Sequence, residues 1–292
     1  MGGEKILAGL IAGVLAGCAR NRSITVGSKN FTEQVILGEI VAQHVSIRLS
    51  KRVDRKLNLG GTLLAHQAML QGGLDLYPEY TGTALTAILK LPLISDPAEA
   101  LARVRLEYET RFRILWLEPL GFNNTFAMVI RGEEARRSRI ESLSEAARYA
   151  GGWTLGVGYE FQQRPDGLPG LLKTYKLPIK GSPKTMDLGL LYKALEQKQV
   201  DMVAANATDG QLSVMDVKVL RDDKRYFPPY QAALTVRADA LAAHPGLQDA
   251  LDLLSGKFSD EIMRALNYQV DGKHRPVNEV AMTFLRAAGF LA

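Results

Sequence analysis

Between Ile24 and Lys90 the chain alternates short apolar runs with longer amphipathic ones, three times over. "SITVG" reads as a strand at Ile24–Val26. "NFTEQVILGEIVAQHVSIRL" reads as a helix with an apolar stripe of Ile36, Leu37, Ile40, Val41 and Val45. Asn30, with Glu33 three residues on, suggests a capping box at its start. "VDRKLNLGG" is a strand closed by two glycines. "TLLAHQAMLQGG" is a short helix with Thr62 as its cap and Gly72-Gly73 as its stop. "LDLY" is a third strand and "TGTALTAILK" opens the next helix. A β-α-β-α-β-α order of this kind implies an α/β fold with a mostly parallel sheet and right-handed crossovers.

The middle of the chain keeps the style without repeating the sequence. "NNTFAMVI", "WTLGVG" and "VDMVAA" read as strands, with helices in "SLSEAARYA", "DGLPGLLKTYKL" and "MDLGLLYKALEQKQ". "DDKRYFPPYQAALTV" passes two prolines into a further strand, and amphipathic helices finish the chain. Two extended crossings without a flexible linker, near residues 122–130 and 228–237, suggest two α/β lobes. The first would comprise residues 18–122 and 232–292, the second residues 123–231. A cleft then lies between them, and ligands of open α/β sheets bind beyond strand ends against helix N-termini. Lys29 and the Tyr80-Thr81-Gly82-Thr83 segment sit at such junctions. In that segment a packing role for the tyrosines, with Thr81 as a cap, competes with delivery of an aromatic face and hydroxyl into the cleft.

The first 17 residues form an apolar leader too short to span a bilayer. It ends in Leu15-Ala16-Gly17-Cys18, the pattern of a bacterial lipobox, and Cys18 is the only cysteine of the 292 residues. The expectation is a signal peptide over 1–17, lipidation of Cys18, and an extracytoplasmic protein held to a membrane by several acyl chains. An ordinary cleaved signal with an incidental cysteine is the alternative. A lone cysteine leaves no internal disulfide.

Much chemistry is missing. The four histidines show no metal-ligand spacing, and GxxxxGK[ST], GxGxxG, GxSxG and HExxH do not occur. The net charge of +5 is spread without a basic run, and basic residues do not interleave with aromatics as a nucleic-acid surface needs. The expectation is a non-enzymatic binding protein without metal or cofactor, acting as a monomer; an extracytoplasmic enzyme is the lesser alternative.

Eight ordered motifs carry a resemblance: "GSKNFTEQVILGEI", "NLGGTLLAHQAMLQGGLDLYPEYTGTAL", "NNTFAMVIR", "RPDGLPGLLKTY", "MDLGLLYKALEQKQVDMV", "ATDGQL", "DDKRYFPPYQAALTVR" and "LNYQVD". Over roughly residues 23–290 the chain resembles the substrate-binding proteins of osmoprotectant (glycine betaine/carnitine/choline) ABC transporters. The resemblance implies a type II periplasmic-binding-protein fold that closes on its ligand, with a membrane permease and an ATPase as partners. It also implies an aromatic cage for a trimethylammonium, which cannot donate a hydrogen bond and is held by cation–π attraction. Here the cage positions are Tyr80, Phe126, Asn206 and Tyr230. Asn206 stands where the family has an aromatic, so either Tyr159, Phe161 or Tyr192 fills the gap, or the affinity is low, or the ligand is a different amine or amino-acid derivative. Carboxylate contacts map to Lys29, Thr83 and Arg164, and the motif asparagine to Asn124; Tyr77 is expected to pack.

Overall fold

The computed structural model describes residues 23–290, so the leader and Cys18 lie outside the described residues. The first three strands are β1 (Ile24–Gly27), β2 (Val53–Lys56) and β3 (Leu76–Tyr80). They are joined by α1 (Thr32–Leu49) and α2 (Thr62–Leu70). β1 lies parallel to both β2 and β3, as the alternation requires. After β3, α3 (Thr81–Thr83) runs straight into a π-helical turn (Ala84–Ile88), followed by α4 (Pro97–Phe112) and β4 (Ile114–Asn123).

The chain then enters a second sheet built from β5 (Phe126–Arg131), β6 (Leu155–Val157), β7 (Lys184–Thr185), β8 (Met202–Asn206) and β9 (Val217–Val219). It carries α5 (Gly132–Ser138), α6 (Leu143–Ala146), α7 (Tyr159–Gln163), α8 (Leu168–Tyr175) and α9 (Leu191–Glu196). β10 (Gln231–Arg237) returns to the first sheet, and α10 (Ala238–Ala243), α11 (Leu247–Asp252), α12 (Asp260–Asp271) and α13 (Val277–Ala287) complete the chain.

The strand orders are β2-β1-β3-β10-β4 and β7-β6-β8-β5-β9. Both sheets are mixed rather than mostly parallel. β10 runs antiparallel to β3 and β4, and β5 antiparallel to β8 and β9. The antiparallel members are the strands at the crossings, which enter their sheet from the other lobe and therefore run against the strands wound within it. Each sheet buries apolar side chains on both faces, as a two-sided α/β layer requires.

Three local expectations change. β3 extends through Pro78 to Tyr80, beyond the expected "LDLY". Proline is tolerated there because β1 pairs β3 only at Leu76, leaving the Pro78 carbonyl to accept from Gln34 of α1 at 2.9 Å. α1 begins after Phe31 without a side-chain cap, so no capping box joins Asn30 to Glu33. α2 begins after Gly61 rather than after Thr62, and Tyr80, not Thr81, precedes α3. In each case the side chain read as a cap faces the cleft or the returning strand. Thr81 Oγ1 donates to the Pro229 carbonyl and accepts from the Gln231 N–H, which pins the start of β10. A true capping box forms at α6, between Ser142 and Glu145.

Candidate functional site between the lobes

A cavity of about 690 Å³ lies between the two sheets, and all eight side chains expected at a site line it: Lys29, Tyr80, Thr83, Asn124, Phe126, Arg164, Asn206 and Tyr230. Strand ends deliver most of them. Tyr80 closes β3, Phe126 opens β5, Asn206 closes β8, and Tyr230 stands just before β10. Phe126 and Asn206 are register partners on neighbouring strands. Tyr77 is fully buried in the first lobe and donates to Glu79, the packing role expected of it.

The aromatic faces converge. Phe126 meets Tyr230 edge-on at 5.5 Å and Phe161 at 4.8 Å between ring centroids, and Phe31 stacks on Tyr80 at 6.3 Å. Each of the three expected cage rings carries a protein cation. Lys29 Nζ lies 4.8 Å from the Tyr80 centroid, and the Arg164 guanidinium lies 5.4 Å from Phe126 and 5.9 Å from Tyr230. These rings therefore already serve cation–π contacts. The three residues proposed to fill the gap at Asn206 all line the cavity; Phe161 and Tyr192 are buried, and Tyr159 is 58 % exposed.

The cations are themselves paired. Lys29 Nζ donates to Glu79 at 2.6 Å and lies 3.4 Å from Thr62 Oγ1. Arg164 holds Asp166 in a two-pronged bond and donates to Thr83 Oγ1 at 3.2 Å. Tyr230 Oη donates to the same Asp166 at 2.6 Å. Burial pushes the Asp166 carboxyl up, but the Arg164 bonds and charge outweigh it and hold it below the usual carboxylate range. A fork-shaped guanidinium suits such bidentate pairing.

Several carboxylates that line the cavity were not among the expected site groups, Glu33 and Asp209 among them. Glu33 is fully buried and accepts from Tyr80 Oη at 2.6 Å, Asn124 Nδ2 at 2.8 Å, Thr208 Oγ1 at 2.5 Å and Asn267 Nδ2 at 3.4 Å. Burial dominates and raises its carboxyl despite these four donors. Asp209 accepts the Asn206 backbone N–H at 2.9 Å and Tyr192 Oη at 3.1 Å, and burial pushes it up to about 7. Neither has an ion pair among the described residues. The signal for Glu33 was present: it shares the helix face of Leu37 and Ile40, where a carboxylate needs a reason. Asp209 sits in the quoted "ATDG", but only the fold brings it to Tyr192.

Several bonds tie the lobes together. Glu160 of α7 accepts from the Thr62 N–H at 2.5 Å and from Thr62 Oγ1 at 3.0 Å, so a carboxylate of one lobe caps a helix of the other. Gly61 allows this approach, since a Cβ there would lie 2.4 Å from the Glu160 carboxylate. Arg164–Thr83 and Glu33–Thr208 are further bridges. Gly210 lets the second lobe seat on α12, because a Cβ would meet the Tyr268 backbone at 2.5 Å.

Two α/β sheets, two crossings and a lined cavity between them define a two-lobed solute-binding protein of the type II fold. Among solved structures, a glycine betaine/carnitine/choline ABC transporter protein superposes with a TM-score of 0.77 at 30% identity, covering 92% of this chain and 99% of its own. The chain belongs to the family described as the substrate binding domain of ABC-type glycine betaine transport systems, whose model matches residues 22–287. This is a family of transport binding proteins rather than enzymes. Similar relatives include a Pseudomonas aeruginosa glycine-betaine-binding protein (37% identity, 96% of this chain, 91% of the relative). A Listeria monocytogenes carnitine transport binding protein is 34% identical over 93% of this chain and 88% of its own. A Helicobacter pylori ergothioneine transport permease/binding protein is 35% identical over 92% of this chain. The chain spans about half the length of that last relative, 48%.

Proposed function

We propose that this chain is an extracytoplasmic lipoprotein, anchored through Cys18, that captures a quaternary-ammonium compatible solute of the glycine betaine, choline or carnitine type. It delivers the solute, as a monomer, to an ABC permease driven by its ATPase. Residues 18–122 with 232–292 form one jaw and 123–231 the other. The observation that carries this reading is the convergence of Tyr80, Phe126 and Tyr230 on one cavity between the lobes. An onium head is weakly hydrated and gains from aromatic faces. Lys29, Arg164 and Thr83 stand ready for an acidic group at the other end of the solute, if it displaces part of their internal pairing. Closure is supported by the interlobe bonds of Glu160, Arg164 and Glu33.

The second reading, a different amine or amino-acid derivative, draws on Asn206, whose amide is held beside the Asp209 carboxylate. The test is calorimetric titration of the soluble form beginning at Ala19 against betaine, carnitine, choline, proline betaine, ergothioneine and common amino acids. The expected outcome is saturable binding of at least one onium solute and none of the plain amino acids. Binding confined to an amino acid without an onium head would transfer the assignment to the second reading.

A further inference from the structure

Glu33 and Asp209 form an acidic pair on the cavity wall. Thr208, which donates to Glu33 Oε2 at 2.5 Å, directly precedes Asp209, so α1 and the end of β8 bring two carboxyls to one place. Glu79 has Lys29 and Asp166 has Arg164 as a salt-bridge partner; this pair has none among the described residues. The titratable groups turned toward it do not supply one. Burial keeps the phenols of Tyr80 and Tyr192 protonated. α12 brings Arg264, which donates to the Ala207 carbonyl at 2.8 Å, and Asp271, which accepts from Thr32 at 2.6 Å. Asp187 lines the cavity from the turn before α9 and adds a further acid. Two buried like charges without a cation are costly, and one proton removes half of that charge. The hydrogen bonds show where it fits. Each Glu33 oxygen already receives two donors, which fill its lone pairs. On Asp209, Oδ2 receives the Asn206 N–H and Tyr192 Oη, but Oδ1 receives only Asn206 Nδ2, at 3.4 Å. The Asn206 amide can serve Oδ1 in both states: its NH₂ donates to a carboxylate, and half a turn presents its carbonyl to a protonated oxygen. An aromatic at position 206 could do neither.

We propose that the unliganded protein carries one proton on Asp209 Oδ1, donated to the Asn206 amide, and that a cationic solute head expels it on binding. The O–H bond of Asp209 breaks, the proton passes to water, and the solute's positive charge takes its place beside Glu33 and Asp209. A cation favours the ionised form of a nearby acid, so capture and proton release are one linked event. Burial first, and the Glu33 charge after it, push Asp209 up to about 7 against its bonds from Asn206 and Tyr192, which puts the exchange near neutral pH. Capture is then tight where protons are scarce and weakens in acid. This inference rests on the onium reading above for its cation, and adds to it a dependence on pH.

Choline and glycine betaine serve as probes, because neither changes its charge between about pH 5 and about pH 9. Each is titrated calorimetrically into the chain from Ala19, at each pH in two buffers of different ionisation heat, which counts the protons released. The expected result is close to one proton per solute below about pH 6 and close to none above about pH 8. Affinity should rise about tenfold per pH unit below about pH 6 and level off above about pH 8. An Asp209→Asn variant, checked for folding by circular dichroism, should lose both the release and the slope. Difference infrared spectroscopy of the wild type, which needs no variant, should show a protonated-carboxyl stretch that disappears when the probe binds. Binding of either probe with no proton released, no such infrared change, and equal affinity at about pH 6 and about pH 8 would overturn the inference while leaving the onium reading intact. Release that persists in the folded Asp209→Asn variant would overturn the assignment of the proton to Asp209. No binding of either probe at any pH, nor of any other onium solute, would remove the onium reading, and this inference with it.

Discussion

Glu33→Gln separates a binding role for the buried carboxylate from a structural one. Oε1 receives Tyr80 Oη and Asn124 Nδ2, and Oε2 receives Thr208 Oγ1 and Asn267 Nδ2. Glutamine keeps the shape and one acceptor oxygen. Its NH₂ fits best towards Thr208, whose hydroxyl can rotate to accept, and there it faces the Asn267 NH₂ donor. One hydrogen bond to a charged acceptor is lost, about 1.5–3 kcal/mol. Against this stands relief of desolvation. Burial raises the Glu33 carboxyl, so holding it ionised in the fold costs native stability, and glutamine removes that cost. The two effects nearly cancel in the unliganded protein. They do not cancel for a cationic solute, whose charge favours the ionised carboxylate in a poorly screened site and gains nothing of that kind from glutamine. The variant should melt within about 3 °C of the wild type. It should bind its solute roughly tenfold to a hundredfold more weakly, about 1.4–2.8 kcal/mol. Differential scanning fluorimetry and calorimetric titration measure both. Affinity within twofold of wild type, or a melting point lower by more than about 5 °C, would refute the reasoning.

Glu160→Ala removes the cap that one lobe places on α2 of the other, and should weaken binding about three- to tenfold while enlarging the unliganded radius of gyration in X-ray scattering; unchanged affinity and radius would deny it a part in closure. His66 is buried against Tyr108 and Phe112, and burial lowers its imidazole to about 4. The unfolded chain therefore binds the extra proton first, and stability should fall as pH drops from about 6.5 to about 4, by roughly 2 kcal/mol after screening. Urea midpoints for wild type and His66→Phe check this, and equal slopes with pH would contradict it. Cys18→Ala should abolish incorporation of labelled fatty acid and release the protein from membranes; a variant still recovered as a processed membrane lipoprotein would sink the anchor.

The strand–helix alternation was legible because burial imposes a period on each element, and the residues from Ile24 to Val45 carry it in the open. The aromatic and basic positions of the cavity were legible through motif order, since Tyr80, Phe126 and Tyr230 each sit beside a strand end that the pattern marks. Glu33, Thr62 and Glu160 were not. As sequence, Glu33 and Thr62 look like helix starts, because a cap is a local event and sequence reading weighs local partners first. Their partners lie far along the chain: Thr208 is 175 residues from Glu33, and Glu160 is 98 residues from Thr62. Only the closing of two separately wound sheets brings those groups within hydrogen-bond reach. The direction of β10 and β5 was decided in the same way, by the lobe from which each strand arrives. The sequence alone marked most of the segments that become strands and helices, but not where β3 ends or where the helices beside the cleft begin. The tertiary structure decided which side chains meet, because a pairing across two lobes leaves no period in the chain.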